Sequence, residues 1–216
     1  MIRNCLPLLR KISTNRLPWL ILGKGPSFAR RGEIDFRQYN VFAISDTANF
    51  VDAAVVHCMD AEAMARIEPV GSPRVVVPWR PHIGYKSTEV TLMNLIASDT
   101  DDWFKPLGVK VLNWFNTDRL YSFNSSTSRL PPNPDLSIVK VKVSTAVAAF
   151  SLLTSAGIAL VYCLGVDGGE LYSPEFDKAH LMANGRSFGD QFQAIKNLEK
   201  NRQARLIPLL RDKLCE

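Results

Sequence analysis

Apolar residues along this chain gather in short unbroken runs instead of alternating with polar ones. Such runs describe strands covered on both faces, as in a parallel sheet wrapped by helices. Strands are expected at 18–22, 40–47, 52–60, 74–79, 109–115, 159–169 and 204–210. Between them, 61–67 suits a short helix, and 147–156 is an apolar helix stopped at Gly157. Residues 190–203 form an amphipathic helix with Phe192, Ile195 and Leu198 on one face. Residues 28–39 are polar and read as helical or irregular. Two stretches lack a period: 80–108, where His82, Tyr85, Trp103 and Phe104 lie among polar residues, and 116–137, rich in Ser, Asn and Pro. The second reads as a mobile surface loop or lid. Strands alternating with helices predict an α/β, Rossmann-like domain over 1–216, with a mostly parallel sheet, helices on both faces and a lid or insert.

The strand ends are where the polar residues collect. The first run stops in Gly23-Lys24-Gly25-Pro26-Ser27. Gly23 and Gly25 tolerate positive φ and place no Cβ in the way, so successive amide N–H groups can converge on an anion. Pro26 suits the first turn of a helix, and Ser27 and Lys24 add a hydroxyl and a full charge. The pattern lacks the last glycine of G-x-G-x-x-G, where Phe28 falls, and the Lys-Ser/Thr pair of a P-loop, so a phosphate loop and a structural turn both stay open. The second run closes on Ser45 and Asp46, the third on Asp60, and the sixth on Gly165 and Asp167. Ser144 and Thr145 open the apolar helix. In a parallel sheet these ends meet on one edge, where ligands bind at the switch point.

Composition narrows the setting. An apolar share of 46% and a charged share of 22% over 216 residues are ordinary for a globular chain with one core. Cys5, Cys58, Cys163 and Cys215 are scattered, and His57, His82 and His180 are too dispersed for a metal cage, so reduced thiols in the cytoplasm are expected. Arg10, Lys11 and Arg16 interrupt any signal-peptide core. The net charge of +5 is concentrated before Glu33. With Ile2, Leu6, Leu8, Leu9 and Ile12, that basic end offers either a peripheral contact with an anionic membrane at the inner face or a plain solvated face. No nucleic-acid-reading motif accompanies the charge.

Taken together, Gly23 to Ser27, the run from Val41 to Asp46, Lys142-Val143-Ser144-Thr145-Ala146 and the run from Val161 to Asp167 resemble the CMP-sialic-acid-dependent bacterial sialyltransferases of the Campylobacter type. They also resemble the wider clan of Kdo transferases and methanopterin pyrophosphokinase-like proteins. The resemblance implies transfer of a sialic acid, other nonulosonic acid or Kdo from a CMP-activated donor to a cell-envelope glycan, without a cofactor. It places the donor's phosphate and ribose at Gly25 and Ser27, the nucleotide at Ser45 or Asp46, and further donor contacts at Gly23, Lys24, Pro26, Lys142, Ser144, Thr145, Gly165, Tyr172 and Arg186. Arg186 falls where the family has its catalytic histidine, and arginine does not give up a proton. His180, Asp167 and Asp60 are therefore the candidates for the base. The pyrophosphokinase side of the clan implies instead ATP and Mg²⁺, with Asp60 and Asp167 as metal ligands. A non-catalytic nucleotide binder and a homo-oligomer are further readings that the residues leave open.

Overall fold

The unbroken apolar runs become strands that lie side by side and point the same way. The computed structural model describes residues 2–64, 66–83, 86–87, 89–97, 117–126, 128–141, 144–168, 171–176 and 190–210. In chain order the strands are β1 (Arg3–Asn4), β2 (Trp19–Leu22), β3 (Asn40–Ile44), β4 (Val55–His57), β5 (Arg74–Pro78), β6 (His82–Ile83), β7 (Lys86–Ser87), β8 (Leu120–Ser125), β9 (Ile138–Val139), β10 (Leu160–Leu164) and β11 (Arg205–Pro208). Among the described residues, nine of them form one sheet in the order β1-β8-β5-β4-β3-β2-β10-β11, with β9 on β8. Every pairing in it is parallel. β6 and β7 make a separate antiparallel pair. The helices are α1 (Cys5–Ile12), α2 (Ala61–Met64), α3 (Leu92–Ala97), α4 (Thr145–Ser155) and α5 (Asp190–Arg202). The fold is α/β and Rossmann-like.

Both sheet faces are interior, which is why the runs are apolar throughout. Trp19, Ile21 and Phe42 join α1, α4 and α5 in one core. Leu20, Leu22, Val41 and Ala43 point the other way, onto Phe28, Ala61, Met64 and Leu92. Helix α4 shows how local rules serve this packing. Ser144 caps its start by accepting from the Val147 N–H at 3.4 Å. Gly157 ends it at φ 93°, where the Ile158 N–H returns to the Leu153 carbonyl. Between caps, Phe150, Leu152 and Leu153 are fully buried, and truncating Phe150 to Ala would cost about 3–5 kcal/mol.

Three expectations change. The stretch expected as a mobile loop at 116–137 contains β8, an interior strand between β5 and β1. Its polar letters misled: the Ser122 hydroxyl donates to the Val77 carbonyl, and the Asn124 amide donates to the carbonyls of Asn133 and Leu136. Asn133 returns its N–H to Asn124 Oδ1, so the Pro-rich turn is pinned as well. At the N-terminus, Leu6, Leu8 and Leu9 are buried against the sheet side that α4 covers, so the apolar side of α1 faces the protein interior. Strand β3 stops at Ile44, short of Thr47, because Ser45 turns the chain at φ 53°. The strand expected at 109–115 lies outside the described residues. Among the described residues, no helix is long and apolar enough to cross a membrane.

Candidate functional site

From β2 the chain steps to β3, β4 and β5 on one side, whereas β10 and β11 lie on the other, so the order reverses between β2 and β10. In a parallel sheet that reversal opens a crevice at the carboxyl ends of the strands. Here the crevice brings Gly23 to Ser27 against Gly165 to Asp167. The Gly23 N–H donates to the Leu164 carbonyl and the Gly25 N–H to the Gly165 carbonyl, both at 2.8 Å. A Cβ on Gly23 would sit 2.2 Å from the Gly165 oxygen, and one on Gly25 would sit 2.6 Å from the Asp167 carboxylate. Close approach therefore explains both glycines. Gly25, at φ −64°, needs no left-handed backbone, which falls to Gly165 at φ 72°.

The donors that were candidates for a phosphate are already engaged. The Ser27 N–H donates to Asp167 Oδ2 at 2.7 Å and its hydroxyl to Oδ1 at 2.6 Å. Ser27 Oγ in turn accepts the Gly165 N–H at 2.7 Å. Pro26 starts the 3-10 helix Pro26–Glu33, so Asp167 also lies at that helix's positive end. The carboxylate, on a residue that is itself exposed, fills the cradle as the chain's own anion. Asp167 thus clasps two loops together, and Ser27 is its partner.

One strand further along the edge the picture is different. Lys24 pairs with Asp46, and their side chains keep 17% and 21% exposure. Lys24 Nζ also stands 5.8 Å from the Tyr172 ring and 5.4 Å from Phe176. The segment 171–176 is held there by the Ser173 N–H, which donates to the Lys24 carbonyl at 2.7 Å, and by the pairing of Arg31 with Glu175. The Ser173 hydroxyl, then Arg31, hold the Glu175 carboxyl below its ordinary range. Ser45, buried beside Asp46, occupies the left-handed region, which is costly for a residue with a Cβ and is a feature of constrained functional turns.

Beyond β3, the end of β4 carries Asp60, and here the structure adds a residue that the sequence did not single out. His82 makes a parallel bridge with Asp60, its N–H donates to the Met59 carbonyl at 2.9 Å, and its Nδ1 lies 3.4 Å from Asp60 Oδ1. The signal was available only through topology, since β4 and β5 are neighbours and the loops after neighbouring strands meet. The buried Cys58 thiol links these groups. Burial, then the charges of Asp60 and Asp46, push its ionisation up, and Lys24 and a hydrogen bond from Ser45 oppose that. Cys5 and Cys163, both buried, are pushed up to about 12 by desolvation, so these thiols are inert packing residues.

Ser144 and Thr145 begin α4 on the same edge, because α4 follows β9 and β9 runs parallel to β8. His57 is core: its Nδ1 bonds the Val76 carbonyl at 2.8 Å, and burial pulls its pKa down to about 4. Lys142, His180 and Arg186 lie outside the described residues. Comparison with protein-family models, with characterised proteins and with solved structures returns no match.

Proposed function

We propose that this chain transfers a sugar from a nucleotide-activated donor, with a CMP-linked nonulosonic acid or Kdo as the donor class and a glycan hydroxyl as acceptor. The observation that carries the reading is the built cation at the sheet's carboxyl edge. Lys24 is partly exposed and held by Asp46, beside Tyr172 and next to the strained Ser45. When the bond from sugar to phosphate breaks, negative charge accumulates on the leaving phosphate. A cation fixed in advance at that point stabilises the charge without reorganising. The phosphate belongs at Lys24 and not at Ser27, whose donors serve Asp167.

The metal-dependent alternative fits less well. It asks Asp60 and Asp167 to share a metal, yet the strands that carry them are separated by β3 and β2. Three strand spacings amount to about 14 Å, far beyond a shared ion. Asp167 also has both carboxylate oxygens occupied by Ser27.

Thermal unfolding with CMP, CDP, UDP and ATP, each with and without Mg²⁺, tests the reading. A ligand at about 100 times its Kd adds roughly 2.7 kcal/mol, which raises Tm by about 5–10 °C at this chain length. A metal-independent rise with CMP is expected. A rise confined to ATP with Mg²⁺ would overturn the assignment in favour of diphosphate transfer.

A further inference from the structure

A transfer to a hydroxyl needs a group that takes the hydroxyl's proton, and the sequence offered His180, Asp167 and Asp60 without choosing among them. We propose that His82 is this base and that Asp60 positions it; the proposal rests on the sugar-transfer reading above. His82 is the histidine that the described structure brings to the sheet edge with a carboxylate beside it. Its Nδ1 faces Asp60 Oδ1 at 3.4 Å, and the two side chains remain 27% and 25% exposed. His57 is sealed in the core between Phe42 and Phe123, and Asp167 is engaged by Ser27.

Three features suit His82 to the role. Nδ1 is the ring nitrogen on the Asp60 side, so a proton held there toward the carboxylate would leave the lone pair on Nε2, at the far side of the ring. The backbone that carries the ring is fixed through the Asp60–His82 bridge and the Met59 carbonyl. The separation of 3.4 Å is long for a finished hydrogen bond and is typical of a catalytic pair before substrate tightens it. Only β3 stands between β4 and β2. The backbone ends that carry Asp60 and Lys24 are thus about 10 Å apart, a gap that a monosaccharide can fill between leaving phosphate and base.

The acceptor oxygen forms a bond to the anomeric carbon while the bond from that carbon to the phosphate oxygen breaks, and its electron pair leaves with the nucleotide monophosphate beside Lys24. The hydroxyl proton passes to His82 Nε2 and then to solvent. Asp60 stabilises the imidazolium that exists in between.

The test compares the unmodified chain with His82→Gln and Asp60→Asn. It uses CMP-linked nonulosonic acid or Kdo with a glycan acceptor and follows CMP release across pH. His82→Gln is expected to lower kcat by about 10²- to 10⁴-fold, with the CMP-induced Tm rise intact. Asp60→Asn is expected to lower kcat less than His82→Gln does and to lose the preference for the Nδ1 proton that ¹⁵N NMR reads. ¹⁵N NMR of the histidines should place the His82 proton on Nδ1 in the unmodified chain. Full turnover in His82→Gln would overturn the base assignment alone, and so would a kcat loss matched by loss of CMP binding, which would make His82 structural. Absence of turnover by the unmodified chain on every donor would overturn the transfer reading and this proposal with it.

Discussion

The two halves of the sheet's carboxyl edge are built on opposite terms. Where β2 meets β10, Ser27, Asp167, Gly165 and Gly23 satisfy one another in full: every hydrogen bond is 2.6–2.8 Å and both carboxylate oxygens are used. Where β3 and β4 end, Lys24 pairs closely with Asp46, and His82 Nδ1 stands 3.4 Å from Asp60 Oδ1, beside Ser45 in the left-handed region. The first half is a clasp and the second is a surface that a ligand can compete for. Saturated polar groups hold a fold together. Charged groups held by one partner instead of a full set of hydrogen bonds can exchange that partner for a substrate.

Breaking the clasp should cost most. Gly23→Ala drives a Cβ to 2.2 Å from a backbone oxygen, and urea unfolding should show a loss of about 3 kcal/mol or more. Beneath the open half, His57 should make the fold acid-sensitive. Its pKa is about 4 when folded and 6.5 as the ordinary value, so the fold favours the neutral ring. Stability is intact above pH 6.5 and falls by about 3 kcal/mol in total as pH drops through 4. Unfolding measured from pH 7.5 to 3.5 should therefore be steeper for the unmodified chain than for His57→Asn. Ser27→Ala removes one donor from Asp167 and orphans the Gly165 N–H, for a loss of about 2 kcal/mol. Lys24→Met leaves Asp46 Oδ1, a buried oxygen, without its cation and should cost about 2 kcal/mol in urea unfolding.

Much of this was legible in the residues. β2, β3 and β10 announced themselves because both sheet faces are buried, which leaves no polar positions to break the runs. Their ends marked the site because a parallel sheet brings all carboxyl ends to one edge. β8 was hidden because Ser122 and Asn124 read as loop residues, although internal carbonyls satisfy them. The role of Ser27 was hidden for a different reason: a phosphate and a carboxylate are equivalent guests for the same N–H and hydroxyl, and only the fold brings Asp167 there first. His82 could not be paired with Asp60 from spacing, since β4 and β5 bring them together from separate loops.

The most direct measurement is isothermal titration of CMP into Ser27→Ala and Lys24→Met. If the clasp is structural and the open half binds phosphate, Ser27→Ala keeps the affinity of the unmodified chain. Lys24→Met then weakens it by about 10- to 100-fold, the worth of one charge-assisted contact. Unchanged affinity in Lys24→Met, with binding lost in Ser27→Ala, would contradict the account.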